Sequence, residues 1–322
     1  MGKSHVLCQS TLKFAISTWM RILICVLGQS KVYEEASELI RDILNVDISA
    51  PQIQRVCNYY GEQINPLVKA NIETVIPKLE TKDKRDPTYV MMDGSMIYTR
   101  ADGWREMKLG RIFHGSQIVD IQQSRREIQE SIYVSHLGSV EEFLPKFERH
   151  LVPYKNKVII GDGAAWIWKW AEDNYPGATQ VLDFFHAKEK LVILAKHQFT
   201  DDKKRTQWVT HQAEKLLDNG VEQVISTLKT IRARNDEAKH AKQKAIDYYE
   251  EHDDRMLYRT YKERGLLIGS GPIEAAHRSV IQQRMKLSGQ KWTVKGANAI
   301  ANLRCYRQSG AWHIIENIVA AA

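Results

Sequence analysis

Two aspartates follow short apolar runs, Asp93 after Val90-Met91-Met92 and Asp162, one glycine later, after Val158-Ile159-Ile160. A carboxylate at the end of a buried strand is costly unless it is paired, hydrogen-bonded or bound to a cation. Strand ends of this kind are also where open α/β sheets build their sites. Gly94, Gly161 and Gly163 flank the two acids and let a backbone or ligand approach closely. Either Asp-Gly alone reads as a turn, but two at matching strand ends point to a hard-cation site. Glu274 offers a third carboxylate, in Ser270-Gly271-Pro272-Ile273-Glu274, where Gly271 suits an N-cap and Pro272 the first helical position. Alone, an acid in a first helical turn is explained by the helix dipole. Together the three make the incomplete oxygen cage that Mg2+ or Mn2+ takes, with water and phosphate completing the shell. Two such ions can activate a nucleophilic oxygen and stabilise the leaving oxygen of a displacement at phosphorus.

The elements that must position these acids follow from periodicity. Residues 1–80 are expected to form a small helical domain. Apolar Ala36, Leu39, Ile40 and Leu44 fall at helical spacing, as do Ile53, Val56, Cys57, Tyr60 and Ile64. Between these runs Ser49 suits an N-cap, with Gln52 completing a capping box. Two helices joined tightly are the geometry of a helix-turn-helix, which makes Gln52, Gln54 and Arg55 candidate DNA contacts. A helical bundle used for dimer contacts reads the same way. The charged stretch 81–87, TKDKRDP, is a hinge. Strands are then expected at 89–92, 104–115 and 116–137, a helix at 140–151, a strand at 158–160, a helix at 164–175 and a strand at 181–185. That order predicts a mixed α/β sheet whose first three strands form a meander. Residues 187–264 are charged and almost without Gly or Pro, and read as a helical insertion. Residues 265–322 return to the core through a Gly-rich loop.

Composition bounds the class. The chain has 322 residues, of which 43% are hydrophobic and 26% charged, so a packed core is expected. A net charge of +7 suits a polyanionic partner, although a basic protein without that role has the same balance. The lone Cys8, Cys25, Cys57 and Cys305 form no zinc-finger pair and no disulfide framework. The apolar run 14–27 is broken by Arg21 and is shorter than the ~20 residues that span a bilayer, so a buried helix and a cytoplasmic protein are expected. GDGA and GSGP make no GxGxxG, which argues against dinucleotide binding.

Five segments in order carry a family resemblance: MDG at 92–94, DGWREMKLGRIF at 102–113, GDGAAWIW at 161–168, DFFH at 183–186 and GSGPIEAAHR at 269–278. They resemble bacterial insertion-sequence transposases of the DDE class, in the group related to eukaryotic Mutator elements, over residues 30–318. The resemblance implies an RNase H-like core with an all-helical insertion, and Asp93, Asp162 and Glu274 as metal-binding catalytic acids. Their spacings are 162 − 93 = 69 and 274 − 162 = 112 residues. It also implies a D-x-x-H signature at Asp183 and His186, for orienting DNA or supporting the metal site. A buried Asp–His hydrogen bond is the structural alternative. His277 and Arg278 would then lie beside the site. Arg284, Lys286, Lys291, Trp292, Lys295 and Arg304 are candidates for DNA contact, the cations through backbone phosphates. The implied partners are double-stranded DNA, as element ends and target, and further copies of the chain in a dimer or higher oligomer. Family members carry more chain before the helix-turn-helix-like unit, so a shortened or reassigned N-terminus is expected. Two other readings remain: a non-catalytic DNA-binding remnant of a mobile element, and an RNase H-fold nuclease acting on RNA–DNA hybrids or junctions.

Overall fold

The structure, a computed structural model, describes residues 13–80, 83, 85–122 and 125–322. Cys8 and the hinge residues Thr81, Lys82 and Lys84 lie outside the described residues. Helix α1 (Thr18–Ser30) takes up most of the apolar run. It buries Ile24 and Cys25, together with Arg21, which donates to the Tyr60 hydroxyl at 2.6 Å and to Thr18 Oγ1 at 2.9 Å. Among the described residues no helix is long and apolar enough to cross a membrane. Helices α2 (Tyr33–Leu44) and α3 (Ala50–Lys69) follow the predicted periodicity, and α3 buries Ile53, Val56, Cys57, Tyr60 and Ile64. The expected capping box does not form. Ser49 occupies the cap without a side-chain bond, its carbonyl instead accepts from Gln52 N at 2.9 Å, and Pro51 presets the first turn.

The strands are β1 (Thr88–Thr99), β2 (Gly103–His114), β3 (Ile118–Gln122), β4 (Arg125–Ile128) and β5 (Ile132–Leu137). Helix α4 (Val140–Glu148), β6 (Lys157–Gly161), α5 (Ala165–Asn174) and β7 (Thr179–Leu182) follow. The five-stranded sheet has the order β5-β2-β1-β6-β7. Strands β5, β2 and β1 pair antiparallel, whereas β6 and β7 run parallel to β1. Strands β3 and β4 form a separate hairpin, so of the strand expected at 116–137 only the part in β5 joins the sheet. The fold is therefore mixed α/β. Strand β7 ends before Phe184 and Phe185, which were expected to be extended. Asp183 caps a helix there, and α6 (Phe184–Gln198) begins at once.

Helices α7 (Asp202–Leu217), α8 (Val221–Thr230), α9 (Asp236–His252) and α10 (Tyr258–Glu263) continue an all-helical run. The loop after α10 leads to α11 (Gly271–Ala276), a π-helical turn His277–Gln282, α12 (Gln283–Met285), α13 (Val294–Gln308) and α14 (Trp312–Ala321). One contiguous hydrophobic core extends from Ile16 to Val319 and includes residues of α1, α3 and α13. Gly61 of α3 lies so close to α13 that a Cβ there would collide with the Ala299 backbone. Across this contact Asn302 donates to Gly61 O at 2.9 Å and to Asn65 Oδ1 at 3.1 Å.

Candidate active site

The parallel pairing holds a constant offset. Met91 faces Ile160, an offset of 160 − 91 = 69, which two residues further on sets Asp93 level with Asp162. Ile160 faces Val181, an offset of 181 − 160 = 21, which sets Asp162 level with Asp183. Three aspartates thus occupy one row across neighbouring strands, which in a sheet stand about 4.8 Å apart. Asp162 and Asp183 directly follow β6 and β7, whereas Asp93 lies midway along β1, which runs on to Thr99 instead of ending at Met92 as expected. Residues level in a parallel pair also share a face of the sheet.

Each acid of the row has a different environment. Asp93 Oδ1 accepts from Gly94 N at 2.6 Å, and Oδ2 lies 3.4 Å from His277 Nε2. Burial, reinforced by the charge of Asp162, pushes Asp93 up to about 6, with His186 acting in the opposite sense. His277 is buried, and burial pulls it down to about 4, so it is a neutral imidazole against Asp93. Asp162 Oδ1 accepts from Ala164 N at 3.0 Å, and its carbonyl accepts from the Tyr248 hydroxyl at 2.7 Å. Gly163 permits this contact. Its φ is +101°, and a Cβ would stand 2.7 Å from the Tyr248 ring.

Asp183 is fully buried and accepts from His186 N at 3.0 Å, from Ser270 N at 2.6 Å and from Phe185 N. Burial opposes its charge, but hydrogen bonds from His186 and Ser270 outweigh that and hold Asp183 below its ordinary value. It fastens the start of α6 to the loop that leads into α11. His186 Nδ1 lies 3.5 Å from Asp183 Oδ2 with its side chain partly open to solvent. Its contact with Asp183, then the charge of Asp162, raises the imidazole above its ordinary value. The site therefore joins two acids, Asp93 and Asp162, to two histidines whose surroundings shift them in opposite directions, His186 up and His277 down.

Glu274 is exposed on α11, three residues before His277 and so on the same flank of the helix. Arg278 is exposed as well. Among the described residues, no group of three His, Cys, Asp or Glu side chains stands close enough to hold a metal ion. The strand register thus brings Asp93 and Asp162 together, and among the described residues no such cluster adds Glu274 to them. Two residues of this region went unnoticed in the sequence. Arg111 ties α11 to the sheet, donating to Pro272 O at 2.7 Å and to Ser131 Oγ at 3.0 Å. Its signal was a cation inside the apolar run Leu109–Ile112, where burial demands partners. Tyr248 had no comparable signal in its charged helix.

A model of an uncharacterised protein family, UPF0236, matches residues 25–316. The chain belongs to this family. No curated protein matches it. Among solved structures it is similar to the Drosophila P element transposase strand transfer complex. The identity is 8% and the TM-score 0.33, with 94% of this chain and 81% of that chain covered. A likeness at that level carries no argument.

The candidate DNA contacts of this UPF0236 chain divide by burial. On α3, Gln52 and Gln54 are half-buried and Arg55 is exposed. Lys286 and Lys291 are exposed, and Lys295 is exposed but paired with Glu62 at 2.9 Å. Arg284, Trp292 and Arg304 are buried, which speaks against the expected DNA contacts there, through phosphates for the two arginines. Arg284 donates to Gly28 O at 3.2 Å and lies between the rings of Tyr33 and Trp292, whose Nε1 donates to Met285 O at 3.0 Å. Arg304 donates to Gln29 O, Val280 O and Ser279 O. Both arginines join the N-terminal helices to the C-terminal ones.

Proposed function

We propose that this UPF0236 member is a metal-dependent DNA transposase of the DDE type, acting on double-stranded DNA as a dimer or higher oligomer. The observation that carries the reading is the register match of Asp93 and Asp162, set by the adjacent parallel strands β1 and β6. Support comes also from the strand order β5-β2-β1-β6-β7, three antiparallel strands followed by two parallel to the central one. That order suits an RNase H-like core, here residues 88–186 and 265–322, with 187–264 as the helical insertion and 1–80 as the DNA-binding unit.

The donor chemistry of the pair fits a hard divalent cation. Two oxygen donors repel each other enough to help hold Asp93 at about 6, and Mg2+ is bound by one or two carboxylates plus phosphate and water. When bound by Asp93 and Asp162, such a cation supplies Lewis-acid activation of an oxygen attacking phosphorus. Glu274 is the third acid of the proposal. His186, which Asp183 favours in its protonated form, stands beside the pair, where that form would attract a phosphate oxygen. His277 seals the inner side of Asp93 against water.

The test is nicking and strand joining of DNA carrying the element ends, with Mg2+ or Mn2+. Asp93→Asn and Asp162→Asn each remove a ligand charge at constant shape, so both should abolish cleavage and leave DNA binding intact. Cleavage within a few-fold of the parent in either variant refutes the reading. Nicking without joining would make the protein a nuclease. Binding without nicking would make it a non-catalytic DNA-binding protein.

A further inference from the structure

Strand β6 pairs with β1 only over residues 88–91, while β1 and β2 stay paired out to Thr99 and Gly103. The two-stranded ribbon therefore continues past Asp93. Its outer end is held in place, because Trp292 N donates to Tyr98 O at 3.0 Å and Arg100 N donates to Trp292 O at 2.8 Å. Tyr98 and Trp104 are direct cross-strand partners and so share a face. Their rings meet edge to face, with centroids 5.4 Å apart. Neither is buried: Trp104 is 62% exposed and Tyr98 36%, beside Met96 at 44%. An indole this open on a pinned ribbon contributes little to the core.

The charges around these rings are unbalanced. Lys291 Nζ lies 5.7 Å from the centre of the Tyr98 ring, and Arg100 Nε donates to Lys291 O at 3.2 Å. The nearby acids are already engaged, Asp102 with Arg105 at 3.0 Å and Glu106 with Lys108 at 2.8 Å. Among the described residues no carboxylate pairs with Arg100 or Lys291, and both are exposed. Open aromatic faces fringed by uncompensated cations are complementary to a strand that offers π faces and phosphates together. In a duplex the base faces are stacked on one another and closed to such a platform.

We propose that the outer end of the β1–β2 ribbon binds unpaired nucleotides of a DNA strand, with a base stacked on Trp104 and its phosphates on Arg100 and Lys291. This deepens the transposase reading and rests on it for the identity of the strand. Tyr98 lies five residues beyond Asp93, about 17 Å along an extended strand. The odd separation also puts the rings on the opposite face of the ribbon from Asp93, so the unpaired segment would be held some nucleotides away from the phosphate being cut and would pass around the ribbon to reach it.

The test uses the full chain in EDTA, so that no cleavage intervenes, and fluorescence anisotropy with a labelled 20-nucleotide single strand and the matching blunt duplex. Trp104→Ala should weaken single-strand binding about tenfold while changing duplex binding less than about twofold. Trp104→Phe should restore most of the affinity, and Lys291→Gln should weaken binding and flatten its salt dependence. If Trp104→Ala loses its fold by circular dichroism, Trp104→Phe and Lys291→Gln decide. Single-strand affinity unchanged in Trp104→Ala overturns the proposal, as does equal weakening on both DNAs. A change of mass in sedimentation would identify the face as a contact between copies and also overturn it. Metal-dependent nicking tests the transposase reading separately, since either result can fail without the other.

Discussion

Replacing Asp93 by Asn isolates the electrostatic cost of the acidic row. Burial and the charge of Asp162 hold Asp93 at about 6 against an ordinary value of 3.8. At 1.36 kcal/mol for each tenfold change in proton affinity, ionising it at neutral pH costs about 3 kcal/mol. The side chain is about one-third exposed, so solvent screening reduces this to roughly 1.5 kcal/mol. The sign follows from proton counting. Between pH 3.8 and about 6 the folded protein keeps a proton on Asp93 that the unfolded chain has released, so stability falls as pH rises through this window. The amide of Asp93→Asn carries no charge and escapes the loss. The variant should therefore be more stable than the parent in EDTA at pH 7.5. For a chain of this length 1.5 kcal/mol corresponds to about 2 °C in Tm. At pH 5 the advantage should shrink to about half. Millimolar Mg2+ should raise the Tm of the parent and leave the variant where it was. Differential scanning fluorimetry at the two pH values, with EDTA or Mg2+, reads all of this. A variant less stable than the parent in EDTA at pH 7.5, or an advantage that ignores pH, would refute the reasoning.

Asp183→Ala removes the acceptor of three backbone N–H groups and should cost about 3 kcal/mol, or about 4 °C in Tm, from a lost cap and stranded buried donors. Glu274→Gln should shift stability by less than about 0.5 kcal/mol, as at exposed sites generally, yet reduce nicking by orders of magnitude. A destabilised variant that still cleaves would make Glu274 structural. Gly163→Ala forces a side chain into a left-handed backbone and against the Tyr248 ring, so it should destabilise by about 1–3 kcal/mol in urea unfolding. An unchanged midpoint would show that the turn relaxes freely.

The Asp93–Asp162 pair was legible because each acid follows an apolar run, and their spacing of 69 residues equals the strand register. The extent of β7 was not, since Val181-Leu182-Asp183-Phe184-Phe185 reads as one apolar run. Only the hydrogen bonds to Asp183 reveal that the helix starts at Phe184. Arg284 and Arg304 were misread because a cation in a basic C-terminal stretch is normally solvated. For Arg304 a signal existed, in the nearly apolar neighbours Ala299, Ile300, Ala301, Leu303 and Cys305. Arg284 had none, because its burial depends on Gly28 and Tyr33, which stand near the opposite end of the chain. Trp104 lay inside a recognised motif but had no assigned role, since its openness follows from how far the ribbon outruns β6.

The contact between α3 and α13 has a consequence for synthesis on the ribosome. Gly61 and Ala299 are neighbours in space, yet the chain between them takes roughly 10 to 50 s to translate. Until then α1 and α3 lack the surface that buries them, and Glu274 has no helix fixed against the sheet. A nascent chain would thus be without the proposed activity until α13 had emerged. Its early helices would meanwhile expose the apolar faces that α13 later covers.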